Sequence, residues 1–243
     1  MTEEWKKELD AVAKPEKISD LARFFKTGPG EYGEGDIFIG VYVPDNRRMA
    51  RSHYEEPLAT IKDMLSSAVH EHRLSGFLAL VERYRKARTQ EARDEVADFY
   101  LAHAERANNW DLVDLSAPYI MGTEWAAGRH MDDLRELCVA QLLWRRRIAV
   151  VGMLTVIRNG NIELALEICR GQLKHPHSLM QKAVGWILRE AGKKDENALG
   201  SFLEQYIGSL SATALSYATE RMPKEERVRF RQLRKARQKG IFV

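Results

Sequence analysis

Apolar residues recur at helical spacing along almost the whole chain, and no run of strict apolar–polar alternation competes with them. The spacing predicts helices over residues 3–13, 16–26, 57–66, 70–87, 89–106, 110–120, 131–140, 142–158, 161–172, 178–192, 196–207, 211–221 and 224–238. A further helix opens at Pro44, since proline suits a first helical turn, and carries Asn46, Arg47, Arg48 and Arg51. Gly28 to Asp36 form a glycine-rich loop, and Ile37 to Val43 are a short apolar run, a candidate extended segment. The other connections are short, with Gly122, Asn159-Gly160 and Gly192 read as helix ends. This pattern predicts an all-α fold of stacked antiparallel helix pairs rather than a closed bundle. The pairs recur about every 35–45 residues, within the range of HEAT-type repeats. About six such pairs form an α-solenoid with a concave face, and residues 1–243 are read as one domain of this kind.

Three helices depart from plain amphipathicity. The helix over 142–158 is apolar nearly all round, from Leu142 to Ile157, which places it among other helices. Yet it begins Trp144-Arg145-Arg146-Arg147, and cations in a first turn oppose the helix dipole by about 0.3–1 kcal/mol each. A compensating anion is expected there, either a carboxylate such as Asp114 or a phosphate from outside. The helix opening at Trp110 follows Asn108 and Asn109, both good caps. Trp110 and Asp114, four apart, share one face, with Leu112 and Leu115 expected towards the core. In the helix over 178–192, Met180, Ala183, Val184, Ile187, Leu188 and Ala191 form the apolar stripe. Trp186 falls outside it, beside Lys182 and Arg189. One such tryptophan is adequately explained as cover for a neighbouring helix. Two of them, one with a carboxylate a turn away, make a functional cleft an equally good explanation.

The chain has 243 residues, 44% hydrophobic and 30% charged, enough to bury a sizeable core. No apolar run approaches the roughly 20 residues needed to cross a membrane. The start, Met-Thr-Glu-Glu-Trp-Lys-Lys, has no signal-peptide character. Cys138 and Cys169 both lie in apolar helical runs, so a cytoplasmic protein with two buried thiols is expected. A net charge of +3 does not by itself indicate a nucleic-acid partner, so the placement of the charges decides. Arg47, Arg48 and Arg51 form one basic patch. Residues 224–243 form a basic C-terminal helix and tail. Each is either a solvated face or a phosphate contact.

Two motif matches lack their context. Gly28-Pro29-Gly30-Glu31-Tyr32-Gly33 spells G-x-G-x-x-G, but a helix precedes it where a nucleotide site needs a strand. Glu31, Glu34 and Asp36 are also expected to repel phosphate, and it is read as an inter-helix loop. His70-Glu71-His72-Arg73 has its histidines two apart rather than the four that a helical zinc site requires. Neither a metal nor a cofactor is expected.

Six segments carry a family resemblance: Phe24 to Gly30, Gly33 to Val41, His70 to Arg73, Asn109 to Asp114, Trp144 to Ala149, and Gln181 to Glu190. On these, spread in order over about residues 20–190, the chain resembles the AlkD-like DNA alkylation repair glycosylases, a HEAT-like repeat family. The resemblance implies a monomeric, monofunctional hydrolase that binds duplex DNA on a concave basic face. It implies removal of cationic N3- or N7-alkylated purines, such as 7-methylguanine and 3-methyladenine. It makes Asp114 the catalytic carboxylate, with Trp110 and Trp186 lining the cleft and Arg147 near it. The remaining DNA contacts are expected from Lys182, Arg189, Arg47, Arg48, Arg51 and Phe24. Phe24 stands where the best-known members carry a tyrosine, and the loop from Thr27 to Asp36 is longer than theirs. These departures define the alternative, a non-catalytic binder of branched or damaged DNA on the same fold.

Overall fold

A computed structural model describes residues 2–240. Among these there are fifteen α-helices, and the sole β-pairing is a single bridge between Ile37 and Val69. None of the helices is long and apolar enough to cross a membrane. The all-α class expected from the periodicity is therefore the class found. Contacts divide the chain into two compact units, Met1–Ser116 and Ala117–Val243.

The first unit holds α1 (Thr2–Ala11), α2 (Ile18–Phe24), α3 (Val43–Ser52), α4 (Leu58–Ser66), α5 (His70–Lys86), α6 (Gln90–Ala102) and α7 (Trp110–Asp114). Its centre is α5, buried without interruption from His70 to Val81. Helices α3, α4 and α6 pack around it. The amphipathic α1 buries Trp5, whose indole N–H donates to Ser75 of α5 at 3.0 Å and whose ring stacks on His53. Pro44 lies in the first turn of α3, as expected. Only Ile37 of the candidate extended run is paired, because Glu71 captures the N–H groups that follow it.

The second unit holds α8 (Met121–Ala126), α9 (Met131–Val139), α10 (Leu143–Arg158), α11 (Ile162–Gly171), α12 (Ser178–Gly192), α13 (Glu196–Tyr206), α14 (Ala212–Ala218) and α15 (Lys224–Gln238). Helix α10 is its core, packed by α8, α9, α11 and α12, which accounts for a helix apolar on every side. Carbonyl oxygens supply part of the negative charge that its arginines require. Arg146 donates to the carbonyls of Val139 and Ala140 at the end of α9, and Arg147 to that of Leu179 at 2.6 Å.

Two expectations need correcting. The helix expected over 110–120 stops at Asp114. Pro118 has no N–H to offer the Asp114 carbonyl, and its ring would clash there if the helix continued. Gly122 is not a helix end but lies inside α8, a helix the periodicity did not predict. A side chain on Gly122 would collide with the Gly152 carbonyl, and one on Gly152 with the Trp125 indole. The two glycines thus set the close approach of α8 to α10. Gly152→Ala should cost about 1–3 kcal/mol through overpacking, read as a lower thermal midpoint. An unchanged midpoint would show that Trp125 can move aside without penalty.

Candidate functional site

Helix α7 has only five residues, far too short to hold itself together in water. Its geometry is imposed from outside, first by its cap. The Asn109 side-chain oxygen accepts the Trp110 N–H at 2.8 Å, while its amide nitrogen donates to Asp36 at 3.3 Å. Asn108 is not a cap. Its oxygen accepts from Arg73 Nε at 3.0 Å, and its amide donates to Asp36 at 3.3 Å.

Beneath the helix lies a buried ionic network. His70, at the start of α5, places Nε2 2.9 Å from Asp111 of α7 and Nδ1 3.0 Å from Asp36. Arg73, one turn on, reaches the other Asp36 oxygen at 2.5 Å and donates to the Ser67 and Ala68 carbonyls. With carboxylates at both ring nitrogens, His70 is an imidazolium. Burial alone would lower its pKa, but the charges and hydrogen bonds of Asp111 and Asp36 outweigh that and raise it to about 9. Burial pushes Asp36 the other way, yet its bond to His70 and the Arg73 charge hold it below the ordinary carboxylate range. The four charges balance, two of each sign, as burial of ions demands.

A third buried carboxylate shapes the opposite wall. Glu71 accepts the backbone N–H groups of Ile39, Gly40 and Val41, the shortest at 2.8 Å from Gly40. That fixes the segment leading to Tyr42 and α3. Gly40 itself has φ +92°, and a side chain there would strike the Lys14 backbone.

Between these walls is a cavity of about 360 Å³. Its lining is mainly aromatic and aliphatic, including Phe24, Phe25, Phe38, Tyr42 and Trp110, with Asp114 among them. Trp110 stacks on Phe25 at 5.2 Å between ring centroids, and Phe24 meets Trp110 edge-on at 5.7 Å. Phe24 is 62% exposed, so it stands at the rim. Asp114 thus presents a half-buried carboxylate to a largely apolar recess, beside an indole one helical turn away. A cationic, flat ligand suits such a place, through Coulomb attraction and cation–π contact.

Three of the sequence-derived candidates therefore share one cavity: Trp110, Asp114 and Phe24. Leu115 lines it too, instead of turning into the core as expected. On α3, Arg47 is half-buried, Arg48 is exposed and paired with Asp45 at 2.9 Å, and Arg51 is exposed. Within the second unit, Trp186 is half-buried on α12 and Lys182, a turn before it, is exposed. Arg189 is ion-paired to Glu220 and Glu190, and Arg147 is buried. Asp36, His70, Arg73 and Asp111 were not among the candidates. One local signal existed: two adjacent asparagines cannot both cap one helix, so one of them needed a partner elsewhere.

Fold and cavity together define an all-helical protein with an aromatic recess that carries a carboxylate. More particularly, the chain belongs to the DNA alkylation repair enzyme family, whose model matches residues 5–222. Among solved structures it is similar to a predicted DNA alkylation repair enzyme from Enterococcus faecalis. That likeness has a TM-score of 0.68 at 18% identity over 87% of this chain and 97% of the other, and so bears on the fold. No curated protein matches the chain. Family membership supports a role in DNA alkylation repair.

Proposed function

We propose that this protein is a monofunctional DNA glycosylase that hydrolyses the N-glycosidic bond of N3- and N7-alkylated purines in duplex DNA. The observation that carries the reading is the pairing of Trp110 and Asp114 on one short helix, both facing a single aromatic cavity. An alkylated purine is already positively charged. When the bond from its N9 to the sugar C1′ breaks, the electron pair goes to the ring and the base leaves neutral. Positive charge then builds on the sugar, where a fixed carboxylate stabilises it. Water adds to C1′, and its proton passes to Asp114 or to solvent, leaving an abasic site. Trp110 offers its π face to the same developing cation. Trp186 has a part in the same reading, as do Arg147, Lys182, Arg189, Arg47, Arg48 and Arg51 as DNA contacts, with residues 1–243 acting as one DNA-binding domain.

Trp110→Ala should slow base release by between about 2- and 30-fold, the span of one cation–π contact, and Trp186→Ala by a similar factor. An unaltered rate in either variant removes that tryptophan from the chemistry. The activity itself is tested by incubating the protein with methylated duplex and measuring free 7-methylguanine and 3-methyladenine. Release above the spontaneous rate is expected. The second reading, a non-catalytic DNA-structure binder, draws on Phe24, an exposed ring without a hydroxyl at the cavity rim. It requires tighter binding to junctions than to methylated duplex, together with no base release.

A further inference from the structure

Helix α15 lies wholly beyond the residues that the family model matches, which end at Met222. From residue 224 onward the chain carries eight Lys and Arg against two Glu, a net +6. The whole chain carries +3, so residues 1–223 carry a net −3. All of the excess positive charge thus resides in the segment from residue 224 onward, α15 and the Lys239 that follows it, which the family model does not match.

Two groups stand out among the cations of α15. Some hold the helix in place. Phe230 is buried beneath it, with the Arg229 guanidinium over its ring at 4.3 Å. Arg229 pairs with Glu204 and Glu226, and Arg234 donates to the Leu210 carbonyl at 2.6 Å. Lys224, Arg231 and Lys235 are different. All three are exposed, and none has an ion pair or hydrogen bond among the described residues. Spaced by seven and then four residues, they fall on one stripe of the helix, turned away from Phe230. The stripe runs about 16 Å, at roughly 1.5 Å of rise per residue.

We infer that this stripe is a docking surface for the phosphate backbone of duplex DNA, independent of lesion and of sequence. Over about 16 Å of axis a duplex presents roughly ten phosphate charges, at about one per 1.7 Å. Three unpaired cations at this spacing are complementary to that array, whereas residues 1–223, at a net −3, add no positive excess to it. The surface gives the protein an affinity for undamaged DNA that its matched portion lacks in net charge. The inference rests on DNA being the substrate, as proposed above, but not on base release.

The test is the triple variant Lys224→Gln/Arg231→Gln/Lys235→Gln in the full chain. Fluorescence anisotropy with unmodified duplex, between 50 and 200 mM salt, reads affinity and its salt slope. Affinity should fall at least about tenfold at 50 mM, and the log–log slope should become shallower by about 2–3, near 0.9 per lost phosphate contact. Lys224→Arg/Lys235→Arg should bind as the wild type does. At saturating enzyme the triple variant should release base from methylated duplex at the wild-type rate. An unchanged affinity and slope would overturn the inference, as would wild-type protein that binds phosphatidylserine vesicles but not duplex. If no base is released by any form while the slope changes as stated, the glycosylase reading fails and the docking surface stands.

Discussion

Asp114→Asn should lower single-turnover base release by about 10²–10³-fold, the usual cost of removing one preorganised charge-stabilising group. The substitution keeps the shape of the side chain, removes its charge, and turns one acceptor oxygen into a donor NH2. Asp114 is half-buried at the end of α7 and Asn matches its volume, so the fold should tolerate the change. Duplex affinity should be retained or slightly improved, since one negative charge facing the phosphates is lost. A variant with the wild-type rate would show that the carboxylate in the cavity is not the group that stabilises the sugar.

The second large effect falls on stability. His70→Leu should destabilise the protein by about 3–5 kcal/mol, because it leaves Asp36 and Asp111 without the cation that bridges them in the interior. The same bridge makes wild-type stability depend on pH. The folded pKa of His70 is raised from 6.5 to about 9, so its contribution is fully present below pH 6.5. It declines as pH rises and is lost above about 9. The Asp36 contribution has the opposite sign. Its pKa is lowered on folding, so that part is present above its ordinary value of 3.8 and is lost as pH falls through the lowered one. The thermal midpoint of the wild type should therefore drop between pH 6.5 and 9.5, and His70→Leu should be flatter across that window. Equal slopes for the two proteins would mean that His70 is not the bridging cation. Because Asp111 lies within α7, loss of the bridge also loosens the helix that aims Trp110 and Asp114.

Most helices were legible because burial of one face imposes a period that the sequence records directly. The ends of α5, α10, α12 and α15 fall within a residue or two of the expected ones. The exceptions have local causes. Pro118 dictates the end of α7, and that information was present in the sequence, though the apolar period ran past it. Helix α8 is six residues long, too short for a period to declare itself, and Gly122 resembled a terminator. Of the cavity, Trp110 and Asp114 were legible because both lie on one turn of helix. The network that holds them was not. Asp36 stands 34 residues from His70, and His70 stands 41 from Asp111, so no local pattern links them. In the sequence Asp36 looks like one more acidic loop residue beside Glu31 and Glu34. In the structure the two glutamates accept loop N–H groups from Gly28 and Gly30, and Asp36 alone is the buried counter-ion.

The most direct test of the central claim uses a duplex with one 7-methylguanine at a known position, under single-turnover conditions. The account predicts an abasic site at that position alone, formed well above the spontaneous rate and close to the spontaneous rate in Asp114→Asn. A lesion left intact by protein that is demonstrably bound to the duplex would contradict it.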